Sequence, residues 1–139
     1  MNRYYTFFLL LFFTGLSLNS NAQSDITLQN CTKYLEPEFI SDGQQYKALL
    51  SGAEVAEFHT TFYANNYYRI VAATGKMEKN VIFSIYDEEN HLLFSNKDHQ
   101  NSPYWDFQFT NAINCTIEAK LNQKKVTSGF VLLLIGFKQ

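Results

Sequence analysis

Apolar and polar residues alternate through most of this chain, and the alternation predicts strands. Tyr46, Ala48 and Leu50 fall on one set of positions with Gln45, Lys47 and Leu49 on the other. Ala56, Phe58, Thr60 and Phe62 alternate with Glu57, His59 and Thr61, and Tyr68, Ile70 and Ala72 flank Arg69. A period of two puts successive side chains on opposite faces of a sheet, so each of these runs reads as a strand with one buried face. Val81 to Asn96 reads as a hairpin around the polar turn Asp87 to Asn90. Its strands are apolar on both sets of positions, which predicts a place inside a two-layer structure and away from an edge. Trp105, Phe107 and Phe109 resume the strict alternation, as do Cys115, Ile117, Ala119 and Leu121. Phe130 to Phe137 is apolar on both sets, as expected of a strand covered on both faces or one closing the domain beside the N-terminal arm.

Turn residues separate these runs: Asp42-Gly43, Ser51-Gly52, Asn65-Asn66 and the long polar loop Lys97 to Pro103. Strands spaced about ten residues apart predict an all-β fold: a single antiparallel β-sandwich, jelly-roll-like, of about eight strands with no helix in the exported chain. The predicted core includes Phe58, Phe83, Ile85, Phe107, Ile117 and Leu133.

The first residues have a different character. Arg3 precedes the apolar block Tyr4 to Leu18, and Ser20-Asn21-Ala22 supplies small residues at a cleavage site, so residues 1–22 read as a signal peptide. The apolar block is shorter than the roughly 20 residues of a spanning helix, and no membrane span is expected after cleavage. Residues 23–43 then form an N-terminal arm, with a short strand expected near Tyr34 to Phe39, and residues 44–139 the sandwich. A secreted or periplasmic location follows.

Of the eleven Lys and Arg and thirteen Asp and Glu residues, the signal peptide removes a single Arg, leaving a formal charge of −3. No basic patch remains to hold a nucleic acid. Export also places Cys31 and Cys115 in an oxidising compartment, which predicts a disulfide between them.

Phe58-His59-Thr60-Thr61-Phe62-Tyr63 with Tyr68-Arg69-Ile70, Val81 to Asp87 with Leu92-Leu93-Phe94, and Trp105-Asp106-Phe107 carry a likeness. Through them the chain from Gln44 onward resembles bacterial pre-peptidase C-terminal domains and the Golgi-dynamics (GOLD) domain. The whole chain also resembles small uncharacterised exported proteins of Bacteroidota-type bacteria. These resemblances imply a β-sandwich that binds, targets or packs against a neighbour.

The sequence offers little chemistry. Asp87, Glu88 and Glu89 lack the oxygen pattern of a calcium loop. His59, His91 and His99 have no metal-ligand spacing, and neither a metal nor another cofactor is expected. A nucleophile elbow is missing, so the expectation is a non-catalytic binding or structural module acting on a protein or a cell-envelope glycan. The alternative is a small secreted hydrolase using the 96–104 loop, with Asp98, His99 and Ser95 or Ser102 brought together. Aromatic and imidazole side chains beside turns are the candidate ligand contacts: Tyr63, Tyr67, His99, Tyr104 and Trp105.

Overall fold

A computed structural model describes residues 20–75 and 78–138. Most of the predicted signal peptide, residues 1–19, lies outside the described residues, as do Lys76, Met77 and Gln139. The described chain is an antiparallel β-sandwich with one α-helix. In order it runs α1 (Ser20–Leu35), β1 (Ile40–Ser41), β2 (Tyr46–Ser51), β3 (Val55–Phe62), β4 (Tyr67–Thr74), β5 (Val81–Tyr86), β6 (Leu92–Ser95), a 3₁₀ turn (Asn96–His99), β7 (Tyr104–Gln108), β8 (Ile113–Leu121) and β9 (Ser128–Lys138).

Sheet A is ordered β1-β9-β4-β7, with β2 pairing the same edge of β9 as β1; sheet B is ordered β3-β8-β5-β6. Their inner faces meet in one core. Phe62, Ile70, Phe83, Ile85, Ile117, Leu133 and Ile135 are fully or almost fully buried there. Phe58 and Phe107, expected in the core, are half-buried at its margin, because β3 and β7 are both edge strands. The hairpin expected to be wholly interior is also split. β5 lies between β8 and β6, whereas β6 is an edge strand that leaves Leu92 and Leu93 exposed.

The N-terminal segment differs most from expectation. It forms a helix and not an extended arm, and the short strand comes later, at Ile40–Ser41. The reason lies on the outer face of sheet A, where Val71 and Ala73 of β4 and Leu132 and Leu134 of β9 form a second apolar surface. Cys31, Leu35 and Phe39 cover it, with Leu28 and Tyr34 at the margin. Positions 28, 31 and 35 share one side of a helix and match a narrow stripe on the sheet. Thr27 Oγ1 accepts the Gly75 amide at 3.1 Å and Asn30 donates to the Gly75 carbonyl at 2.9 Å, fixing the helix lengthwise. At the other end Pro37 cannot continue the helix.

The predicted disulfide is absent: Cys31 and Cys115 are both free thiols. Cys31 packs outside sheet A under the helix, whereas Cys115 belongs to the core between the sheets. Sheet A stands between them, out of reach of a bond that requires Cα atoms within about 7 Å. Burial favours the neutral thiol, pushing Cys31 up to about 12 and Cys115 up to about 11.

Candidate functional site

A register mismatch opens a groove at one end of the sandwich. β1 pairs Ser41 with Gly136, and β2 pairs Tyr46 with Leu133. The four residues Asp42–Gln45 therefore stand opposite only Leu134 and Ile135, so the chain bows out of sheet A. Asp42 stays tethered through its amide to the Ile135 carbonyl at 3.0 Å, and its carboxylate accepts the Gln44 amide at 2.9 Å. Partial desolvation raises the Asp42 pKa, against the lowering effect of that amide.

Where the edge of sheet A bows away, the seam to β3 stays open. The cavity measures about 510 Å³. Phe62, Tyr68, Ile135 and Phe137 line its apolar side, while Thr60, Tyr63 and Asn66 supply polar atoms. The Tyr68 hydroxyl accepts the Tyr63 amide at 2.8 Å, fixing the turn at the mouth. Asn65 holds φ at 67° in that turn, a left-handed conformation that Asn tolerates better than most residues.

Three exposed apolar side chains also stand at this end. Among the described residues Ile40, Leu49, Val55, Tyr63, Tyr67, Leu92 and Leu93 are the exposed large ones. The pairings of Ile40 with Phe137 and Tyr67 with Lys138 place these two at the groove end with Tyr63, whereas Leu92 and Leu93 lie on β6, the edge of sheet B opposite to β3.

The predicted ligand contacts divide into separate places. Tyr63 lines the groove and Tyr67 stands exposed beside it. Tyr104 faces the helix, its ring 5.2 Å from Tyr34. Trp105 turns the other way, packs on Phe94 at 5.1 Å and carries the His99 ring at 4.2 Å. The five residues do not form one site. The sequence reading missed Asp42, Tyr46 and Asn66; only the turn signals Asp42-Gly43 and Asn65-Asn66 pointed to that region.

The hydrolase triad is not assembled. Ser102 Oγ donates to the Tyr104 carbonyl at 2.9 Å, Ser95 Oγ bonds Ser84 Oγ at 3.0 Å, and His99 is held by ring stacking. Among the described residues no side-chain hydrogen bond links Asp98, His99 and a serine; the Ser102 amide merely donates to the His99 carbonyl at 3.1 Å. The acidic turn is likewise occupied by its own backbone. Asp87 accepts the Glu89 and His91 amides at 2.9 and 2.8 Å and pairs with the His91 ring at 3.0 Å. The His91 amide, followed by its ring, holds the Asp87 carboxyl below its ordinary value. No group of three or more His, Cys, Asp or Glu side chains among the described residues is placed to hold a metal ion.

No protein-family model matches the sequence, and neither does any curated protein. Solved structures share the fold. One of them is PliG of Aeromonas hydrophila, a periplasmic lysozyme inhibitor of g-type lysozyme, superposing with a TM-score of 0.52 at 10% identity over 68% of this chain and 85% of that one. At that identity the likeness concerns the β-rich architecture alone. Among the described residues no helix is long and apolar enough to cross a membrane.

Proposed function

We propose that this protein is an exported, non-catalytic binding module, secreted or periplasmic, that engages a protein partner through the groove end of the sandwich. The observation that carries the reading is the convergence of exposed Ile40, Tyr63 and Tyr67 on the end that holds the cavity. Scattered exposed apolar residues are ordinary on a soluble protein. Their gathering around a concavity is the pattern of a recognition surface, in which aromatic anchors supply large contact area at low entropic cost. The shared fold with a periplasmic lysozyme inhibitor is in keeping with a scaffold that works by binding. Expected export comes from the apolar leader read in the sequence.

A photo-crosslinking residue at Tyr63, with Lys124 in the distant β8–β9 loop as control, tests this in envelope extract. Position 63 is expected to capture a discrete protein that position 124 does not, and capture should fall when Tyr67 is replaced by Ala. Binding to a glycan array without any protein adduct would replace the protein partner with a saccharide. Absence of both would overturn the reading.

A further inference from the structure

β3 borders the groove, and it is an unusual edge. It keeps register with β8 at every position from Val55 to Phe62, an eight-residue strand without proline or bulge. The remaining edges are shorter: two residues in β1, six in β2, five in β7, and four in β6, whose pairing with β5 is broken by a register shift. Proteins blunt edges because their unpaired amides and carbonyls accept a further strand. Of those blunting devices β3 carries one charged side chain, Glu57, but neither proline nor bulge. Hollows also flank it on both sides, since His59, Thr60 and Thr61 line the groove and a second depression of about 330 Å³ on the outer face of sheet B.

The charge of that outer face specifies what kind of strand fits. Glu57 of β3 lies directly opposite Glu118 of β8. Like charges in opposed positions repel. On the helix side the carboxylates of Glu38, Glu78 and Asp106 are paired with Lys138, Lys33 and Arg69. Among the described residues neither Glu57 nor Glu118 has a salt bridge, and the nearest cation across these strands is Lys120, opposite Val55.

We infer that β3 is a docking edge for an extended, cationic segment of the protein partner, which adds to sheet B with its Lys or Arg side chains over Glu57 and Glu118. Main-chain hydrogen bonds provide the attachment, and the carboxylate pair selects the charge. Self-pairing of two β3 edges is disfavoured because it would bring a second Glu57–Glu118 pair onto the same extended sheet. The inference rests on the proposed protein-binding role and specifies how part of that surface is used.

The probe is a fluorescent peptide of alternating Lys and Thr, long enough to span β3, followed by anisotropy with the purified protein. Alternation sets every Lys on one face of the added strand. Binding is expected at low salt, weakening about tenfold in the Glu57→Gln, Glu118→Gln double variant and by a similar factor when alternate peptide nitrogens are methylated. Both substitutions lie on the open sheet face, and an unchanged denaturation midpoint will show that the fold survives. The inference is overturned if the cationic peptide fails to bind at about 1 mM, the weak end of measurable affinity. Equal binding by a Glu-Thr peptide, or no effect of methylation, also overturns it. A dimer by light scattering that disperses on Glu57→Lys would make a second copy the occupant. If the residue 63 crosslinker still captures a protein while the peptide does not bind, the edge inference alone fails; if neither binds, the protein-binding reading fails with it.

Discussion

Arg69 donates from Nη1 to the Tyr34 carbonyl at 2.8 Å, joining the middle of sheet A to the last turn of α1. The same guanidinium meets both carboxylate oxygens of Asp106, at 2.6 and 2.8 Å, and lies between the rings of Phe39 and Tyr104. One side chain thus ties helix, post-helical turn and edge strand together. Arg69→Ala is expected to cost about 1.5 to 3 kcal/mol in urea denaturation, the range for hydrogen bonds to a charged group. Arg69→Lys should recover less than half, since an ammonium lacks the fork that serves Asp106 and the helix at once. Full recovery by Lys would show that charge alone matters.

Gly136 sets how closely the helix approaches. A Cβ there would fall 2.7 Å from Leu35 Cδ2 and 2.9 Å from Phe39 Cβ. Gly136→Ala is expected to destabilise by about 1 to 3 kcal/mol through overpacking. Hydrogen exchange should rise selectively in α1 while β5 and β8 stay protected. The penalty should shrink in a Leu35→Ala background, where part of the clash is gone; an unchanged penalty would place the strain elsewhere.

Most strands were legible in the sequence because they have one dry face, and an alternation such as Trp105-Asp106-Phe107 has no helical equivalent. The apolar run Phe130 to Phe137 left open a strand covered on both faces or one closing the domain beside the arm. The first holds, with the helix on one face and sheet B on the other. The helix was missed because its apolar stripe is narrow: Leu28, Cys31 and Leu35 stand among polar residues, enough to cover four small or medium side chains of sheet A but too few to dominate the pattern. The signal that would have found it was the outer-face set Val71, Ala73, Leu132 and Leu134, which needed a cover that no remaining strand could supply. The groove was less legible still. It arises from a two-residue excess between β1 and β2 relative to β9, a property of pairing that Asp42-Gly43 marks only as a turn.

The two free cysteines predict an alkaline limit to stability. Burial raises both thiols from an ordinary 9.0, Cys31 to about 12 and Cys115 to about 11, so above pH 9 the native state retains protons that the unfolded chain releases. Their contribution is therefore complete below pH 9 and is lost as pH rises through 11 and 12. The denaturation midpoint should fall over that window, and less steeply in a Cys31→Ala, Cys115→Ala variant. Half-buried Tyr34 and Tyr46, also shifted upward mainly by desolvation, should account for slope that remains. In the native protein iodoacetamide should react slowly; after denaturation without reductant, mass spectrometry should show two labels. A linked Cys31 to Cys115 peptide would contradict the arrangement.

Asn96 is buried to 0% exposure and holds the β6–β7 loop against sheet B. Its Oδ1 accepts the Phe83 amide at 2.9 Å, and its Nδ2 donates to the carbonyls of Val81 at 3.0 Å and Ser102 at 2.9 Å. Asn96→Ala leaves the Phe83 amide and two carbonyls without these partners. Each such loss costs about 1 to 3 kcal/mol when the group cannot reach water. Asn96→Asp poses a sharper test because the shapes nearly match. The new carboxylate can still accept from Phe83, but it faces two carbonyls to which it has nothing to donate. Burial and those dipoles should raise its folded pKa above the unfolded value of about 3.9. A group shifted in that direction contributes its stability below the unfolded pKa and loses it as pH rises through the folded one. The Asp variant should therefore lose stability relative to the parent from pH 4 toward pH 7, the range that burial opens above an ordinary carboxyl. The Ala variant should show a pH-independent deficit. A flat difference between parent and Asp variant would mean that the loop opens and lets water reach the carboxylate, so that Asn96 is not what holds it shut.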